Sequence, residues 1–317
     1  MESASLSGRR ASRGPGWHLV DGLIRIRRAG SRIGLGRVGG FLLLLPAAAL
    51  LAFLIFGLVS LISNSLHEYD TFLLKEGSLS TSQYTSILGD EHFREVLLRT
   101  TAMAVVTTMV TLVIAVPFAI TMARTRRRWL RLLLLIIAFV PILTGDITRT
   151  YGWLVVLDAN GPLAWVVDGV GLGPLSLLGT LWAVGIGTVQ VLLPLAILIL
   201  LPAVVAIDPN LADAAKTMGA RPYRVFTTVL LPQLRIALFG AAGVCFTMAM
   251  NEFANPALLG QGIQDYLGNL LYSTYLVLPN PYKGAALGMI MLVVILIGVG
   301  LITATGRLLE RRRRVSG

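Results

Sequence analysis

Four ionisable side chains stand within or at the ends of long apolar stretches, where a charge is costly and marks a candidate functional position: Arg99, Asp146, Arg149 and Glu252. Asp146 and Glu252 have the most chemistry to give. Two carboxylates facing one pathway could each pair with an ammonium group through a charge-assisted hydrogen bond. Each also has a plainer use. Arg149 follows Asp146 by three residues, one helical turn on, so the two can pair with each other. Glu252 can serve as a hydrogen-bonded structural carboxyl. Arg99 reads as a snorkelling side chain near the outer end of its apolar block, with no assigned role. Tyr151 and Trp153, just after Arg149, present aromatic faces that attract ammonium groups, or else belong to an interfacial belt.

Other chemistries find no footing. His18, His67 and His92 are scattered without metal-ligand spacing. The single cysteine, Cys245, excludes an intrachain disulfide and reads as a small buried hydrophobe between Val244 and Phe246. The sequence contains no Walker-type phosphate loop and no clustered Ser/His or acid–base set for a membrane-embedded enzyme.

The elements that must position these residues are membrane spans. Of 317 residues, 55% are hydrophobic and 14% charged, and the mean hydropathy is +0.77. That leaves too little polar surface for a soluble domain of this size. Six apolar blocks reach or approach the ~20 residues a helix needs to cross ~30 Å of hydrocarbon. They run over about 41–62, 96–123, 129–147, 177–205, 236–259 and 285–305. With no period-2 alternation, the expectation is an all-α polytopic membrane protein of six spans. Residues 1–38 form a basic tail, 39–306 a six-helix domain, and 307–317 a second basic tail. A signal peptide is disfavoured, because the first apolar run is full length and no small-residue cleavage site follows it. In the fifth block, Gly240 to Gly243 suit close helix packing, and Met248 and Met250 read as packing residues.

Charge sets the expected orientation. Of 27 Lys/Arg, 22 fall in the N-terminal tail, the 124–131 loop, the 207–235 segment and the C-terminal tail. The alternate loops, 63–95, 151–176 and 261–283, hold three. This asymmetry places both termini in the cytoplasm. It also explains the net charge of +11 as a topology signal, so no nucleic-acid partner is expected. The outer loop 63–95 is acidic. Asn160-Gly161-Pro162 predicts a turn leading into a short helix over 163–170.

The cytoplasmic segment 207–235 has a structure of its own written into it. Asp208 suits an N-cap and Pro209 the first helical position. Leu211, Ala214, Ala215 and Met218 make one apolar face at i, i+3, i+4, i+7. Gly219 suits the left-handed residue that closes a helix. Pro222 can start a second short helix, and Pro232 is expected to break or kink the start of the next span. On these residues alone, a helix resting on lipid is an equal reading.

The spacing of Asp213-Ala214-Ala215, Gly219, Val229 and Leu231-Pro232 resembles the EAA loop of ABC-importer permeases, with Asp in place of Glu and Val in place of Ile. The resemblance extends over about 41–306. Within the family the chain looks most similar to spermidine/putrescine-type permeases, on Arg149-Thr150-Tyr151-Gly152-Trp153, Asn160-Gly161 and the run Phe253 to Gly260. Permeases for aminoalkylphosphonates, opines, ferric iron and thiamine look similar there too. The resemblance implies a type I importer permease in the bacterial inner membrane. Its 207–235 loop would carry the coupling helix that docks on a separate ATPase. It implies two ATPase copies, a second permease (a distinct sister), and an extracytoplasmic binding protein. No cofactor is expected in this chain, since ATP and Mg would be held by the ATPase. The site residues so implied are Asp213, Ala214, Ala215, Gly219, Val229, Leu231 and Pro232 for coupling, with Asp146, Arg149, Tyr151, Trp153 and Glu252 as substrate-pathway candidates. The rival reading is an ion-gradient-driven secondary transporter, which needs neither an ATPase nor this loop.

Overall fold

A computed structural model describes the chain apart from residues 1–34, 71–74, 170, 172–175, 278–279 and 316–317. The basic tail expected over 1–38 therefore lies almost wholly outside the described residues. Contacts divide the chain into two units, 1–60 and 61–317. The first is built on helix α1 (Leu35–Ser65), which is apolar over Leu44–Ser65 and long enough to span a bilayer.

The second unit opens on a small two-stranded element in an otherwise helical chain. The acidic loop 63–95 contains an antiparallel hairpin, β1 (His67–Asp70) with β2 (Lys75–Leu79), and the short helix α2 (Ser82–Gly89). Tyr84 of α2 donates to the buried Ser65 hydroxyl at 2.7 Å, both residues lying within the second unit. Helix α3 (Glu91–Arg124) then starts five residues earlier than its apolar block, because Asp90 accepts the His92 N–H at 3.0 Å and caps it.

The core is the pairing of α3 with α7 (Leu181–Ala206), against which α10 (Leu231–Met250) packs, with α13 (Pro281–Val315) packed on α10. The α3 seam is made of small residues, Thr100, Ala104, Thr107, Thr111, Ala115 and Ala119, all buried. Small residues let helix backbones approach closely where lipid supplies no hydrophobic drive. Thr100 and Thr107 meet their own hydroxyl needs by donating to Val96 O and Met103 O. The last helix runs through Val315, so residues 307–315 continue it rather than forming a separate tail.

Two apolar blocks are not single straight spans. Residues 129–147 split into α4 (Arg128–Leu143) and α5 (Asp146–Leu157), and α4 is bent by 110° from the helical run 146–169 that follows it. Thr144 and Gly145 are both extended. At 16 residues, α4 is about 24 Å long, short of a full crossing. The fifth block starts earlier and ends earlier than expected. Its helical run covers Pro222–Met250, and a break at 251–253 separates it from α11 (Ala254–Leu259). Among the described residues five helices are long and apolar enough to cross a membrane, or six if the bent pair is one span. The turn at 160–162 starts α6 (Pro162–Gly169) where the sequence places it.

Two glycines of α13 test this packing. A Cβ at Gly298 would run into the buried Phe246 ring of α10, while a Cβ at Gly300 meets nothing within 4 Å. Gly298→Ala is expected to destabilise by about 1–3 kcal/mol through overpacking, while Gly300→Ala should be neutral or gain about 0.5–1 kcal/mol. Thermal unfolding in detergent reads both. Equal effects from the two substitutions would refute the assigned α10–α13 contact.

Candidate functional site

The 207–235 loop is built from its caps. Helix α8 (Pro209–Thr217) opens on Asp208, whose carboxylate accepts the Asn210 N–H at 2.9 Å, with Pro209 in the first turn. It closes on Gly219 at φ +81°. The Gly219 N–H bonds Lys216 O at 2.9 Å and the Ala220 N–H reaches back to Ala215 O at 3.1 Å. These two bonds are a Schellman closure, which satisfies carbonyls that the helix end would otherwise leave open. No residue of α8 is buried. Leu211 is exposed, and Met218 is 87% exposed. Its apolar face is thus formed and uncovered. Asp213 pairs with Lys216 at 2.9 Å, and that ammonium holds its carboxyl below the usual range.

The start of the next span differs from expectation. Pro232 has no N–H to give, and its ring would press on the carbonyl four residues back in an α-helix. Helix α9 (Pro222–Val225) leads instead into a wider π turn over Phe226–Leu230, closed by the Leu231 N–H on Phe226 O. That turn carries the helix past Pro232 without a break. Val229 lies in the turn, and Leu231 and Pro232 open α10.

Asp146 and Arg149 form the ion pair that their spacing allows. Asp146 lies in the first turn of α5, past the bend and no longer at the end of a straight span. The Arg149 guanidinium, 11% exposed against 67% for Asp146, also donates to Pro141 O at 2.6 Å. It thereby satisfies a carbonyl left open at the end of α4. Thr144 does the same for Val140 O.

Glu252 is not deep in a helix. It sits in the break after α10, half-buried. One of its oxygens accepts from the Asn255 backbone N–H and from Asn255 Nδ2, at 3.3 and 3.2 Å. Asn255, buried, takes a hydrogen bond from Thr150 Oγ1 at 3.0 Å. Thr150 Oγ1 also contacts Asp146 O at 2.9 Å. The structure therefore joins Asp146, Arg149 and Glu252 through Thr150 and Asn255. Sequence reasoning gave neither of these uncharged residues a role, although Thr150 lies in the run Arg149 to Trp153 and Asn255 in the run Phe253 to Gly260 that it singled out.

Tyr151 is exposed. Trp153 faces a cavity of about 790 Å³ between α3 and α7, together with Arg99, Val110, Trp182 and Gln190. Asp146, Arg149, Tyr151 and Glu252 do not line it. Arg99 has a partner after all: it donates to Asp265 O at 3.4 Å, and Thr100 Oγ1 accepts the Leu267 N–H at 3.0 Å. These bonds tie the 265–267 segment to α3. Burial pushes the Tyr266 phenol up to about 12. Among the described residues no His/Cys/Asp/Glu cluster could hold a metal ion.

The profile of the family described as "Binding-protein-dependent transport system inner membrane component" matches residues 105–315. The chain belongs to this family. It is a multi-pass permease subunit of an ABC importer in the bacterial inner membrane. It is 28% identical over 311 residues to the inner membrane ABC transporter permease protein YdcU of Escherichia coli, covering 89% of this chain and 98% of that one. It is 30% identical over 249 residues to the spermidine/putrescine transport system permease protein PotB of Haemophilus influenzae, covering 75% and 86%. Its fold is similar to a chain of a bacterial alginate ABC transporter in complex with alginate pentasaccharide-bound periplasmic protein. There the TM-score is 0.71 and the identity 16%, over 89% of this chain and 98% of that one.

Asn255 is the testable centre of the polar network. Asn255→Ala removes the acceptor for Thr150 and the side-chain donor to Glu252, leaving only the backbone N–H, and is expected to cost about 1–3 kcal/mol. Asn255→Asp should cost at least as much, because a carboxylate cannot donate to Glu252 and repels it. Thermal unfolding of purified protein reads both. A wild-type midpoint for Asn255→Asp would show that the Asn255–Glu252 bond is not made.

Proposed function

We propose that this permease forms one half of a translocation pathway for a small cationic solute, a polyamine such as spermidine or putrescine, handed over by an extracytoplasmic binding protein. The other half is a sister permease. Two copies of an ATPase hold ATP and Mg²⁺, so no ATP chemistry falls to this chain. Both termini and the 207–235 loop face the cytoplasm, by the charge asymmetry of the loops.

The observation that carries the coupling role is α8 itself, a capped helix with no buried residue, whose apolar face leaves Leu211, Ala214 and Met218 exposed. Ala214 and Ala215 keep that face low enough for a partner's groove to approach closely. Asp213, with Lys216, lies on the polar side, and Gly219 allows the sharp return to α9. Nucleotide-driven closure of the ATPase pair would move α8, and Val229, Leu231 and Pro232 would pass that motion through the π turn into α10. Alternating access follows when α10 shifts against α3 and α7.

Support for a polyamine comes from the name of the Haemophilus relative. It comes also from the network that ties the Glu252 carboxylate, through Asn255 and Thr150, to the backbone of Asp146, so that two carboxylates able to pair with ammonium groups stand on linked elements. Tyr151 and Trp153 lie on the same helix as Asp146 and add faces that attract such groups. The alginate transporter shares the fold at 16% identity and carries no argument about solute.

Uptake of labelled putrescine and spermidine tests the proposal in cells with and without this gene, with ATP depletion as control. Deletion is expected to abolish ATP-dependent uptake, and the wild-type gene to restore it. Gly219→Val should reach the membrane at normal levels but restore none. A β-branched residue at φ +81° is strained even though a Cβ there meets nothing. Unchanged uptake on deletion, in a strain lacking other polyamine systems, would rule out the polyamine assignment. Full restoration by Gly219→Val would rule out the role given to the turn.

A further inference from the structure

Coupling requires that α8 be held firmly at the point where it leaves the bundle, yet α8 buries no residue of its own. On its N-terminal side it joins the bundle through Ile207, the C-cap of α7, and Asp208, its own N-cap. Ile207 is buried, in one cluster with Val204 of α7 and Met122 of α3. Its carbonyl stands at the C-terminal end of α7, where backbone acceptors lack helical partners and the helix dipole is negative. The Nη2 of Arg124, the last residue of α3, donates to that carbonyl at 3.0 Å across 83 positions of sequence. A cation at this point suits both the open acceptor and the dipole.

We propose that Arg124 is a positioning residue for coupling: it locks the α7–α8 junction to the end of α3, so that force applied to α8 moves α3 and α7 together. Without it, the α7–α8 junction loosens, and motion of α8 reaches α10 through the π turn without carrying α3 and α7 along. Arg124 and Arg126 also act electrostatically on Asp213 of α8, so the 124–131 loop and the coupling helix lie within one another's field. The proposal rests on the coupling role given to α8, and its test separates the two.

The first arm uses the full chain in lipid nanodiscs and reads hydrogen exchange over 207–220. Arg124→Ala is expected to speed exchange in the first turn of α8 about tenfold, the scale of one lost charge-assisted bond. Arg124→Lys, which keeps a cationic donor but not the guanidinium's planar fork, should restore part of the protection. Arg94→Ala, an arginine removed from the other end of α3, should leave it unchanged. Wild-type exchange in Arg124→Ala, or no protection regained with Arg124→Lys, overturns the proposal. The second arm uses the complex with sister permease, ATPase and binding protein. Arg124→Ala is expected to retain the ATPase but lose most of the binding-protein stimulation of ATP hydrolysis, with partial rescue by Arg124→Lys. Full stimulation in Arg124→Ala overturns the coupling role. A wild-type chain that captures no ATPase overturns the reading of α8 instead, while the exchange result still judges the Arg124 anchor.

Discussion

In an apolar bundle every backbone N–H and C=O that leaves a helix must find a partner within the protein, since each one left open costs several kcal/mol in hydrocarbon. Three of the helix breaks among the described residues are closed by side chains. Where α4 gives way to α5, Thr144 and Arg149 donate to the carbonyls of Val140 and Pro141. Where α10 ends, Asn251 Nδ2 donates to Thr247 O and Glu252 accepts the Asn255 N–H of α11. Where α7 ends, Arg124 donates to Ile207 O and Asp208 caps α8. The polar residues of the apolar blocks are therefore placed first by the needs of the backbone. The bends they permit are the parts of the fold that can move.

This constraint reshapes the meaning of the charged residues. Arg149 is largely buried and partly committed to closing α4, while Asp146 keeps a carboxylate two-thirds exposed beside it. Glu252 closes the first turn of α11 and is linked through Asn255 and Thr150 to α5. Structural and functional readings of these residues are not exclusive. A carboxylate held at a helix break has a fixed position and a free lone pair, which suits a cation passing through.

How far the sequence could be read follows from the range of the interactions. The α8 loop was legible because its determinants are local: Asp208, Pro209 and Gly219 act within four residues of themselves, and each sits where its chemistry requires. The Asp146–Arg149 pair was legible for the same reason. Hydropathy gave the blocks but not their breaks. The bend at Thr144–Gly145 needs α4 to end on a guanidinium supplied from beyond it, and the end of α10 at Met250 depends on Asn251 and Glu252, which a hydropathy average hides. At Pro232 the usual rule of helix breaking was overridden by a π turn upstream. The partner of Arg99 lies 166 positions away, and the Thr150–Asn255 bond spans 105. Distances of that kind are set by the fold as a whole.

The central claim is that the uncovered face of α8 is the docking surface for the importer's ATPase. A photo-reactive amino acid at Met218, the exposed apolar C-cap of that helix, tests it most directly. The control is the same probe at exposed Leu98, toward the other end of α3 from Arg124 and the α7–α8 junction. Irradiated membranes are expected to give an adduct of the Met218 variant with an ATP-binding-cassette ATPase, identified by mass spectrometry, and none from Leu98. Absence of an ATPase adduct at Met218, in membranes where the transporter is active, would contradict the account.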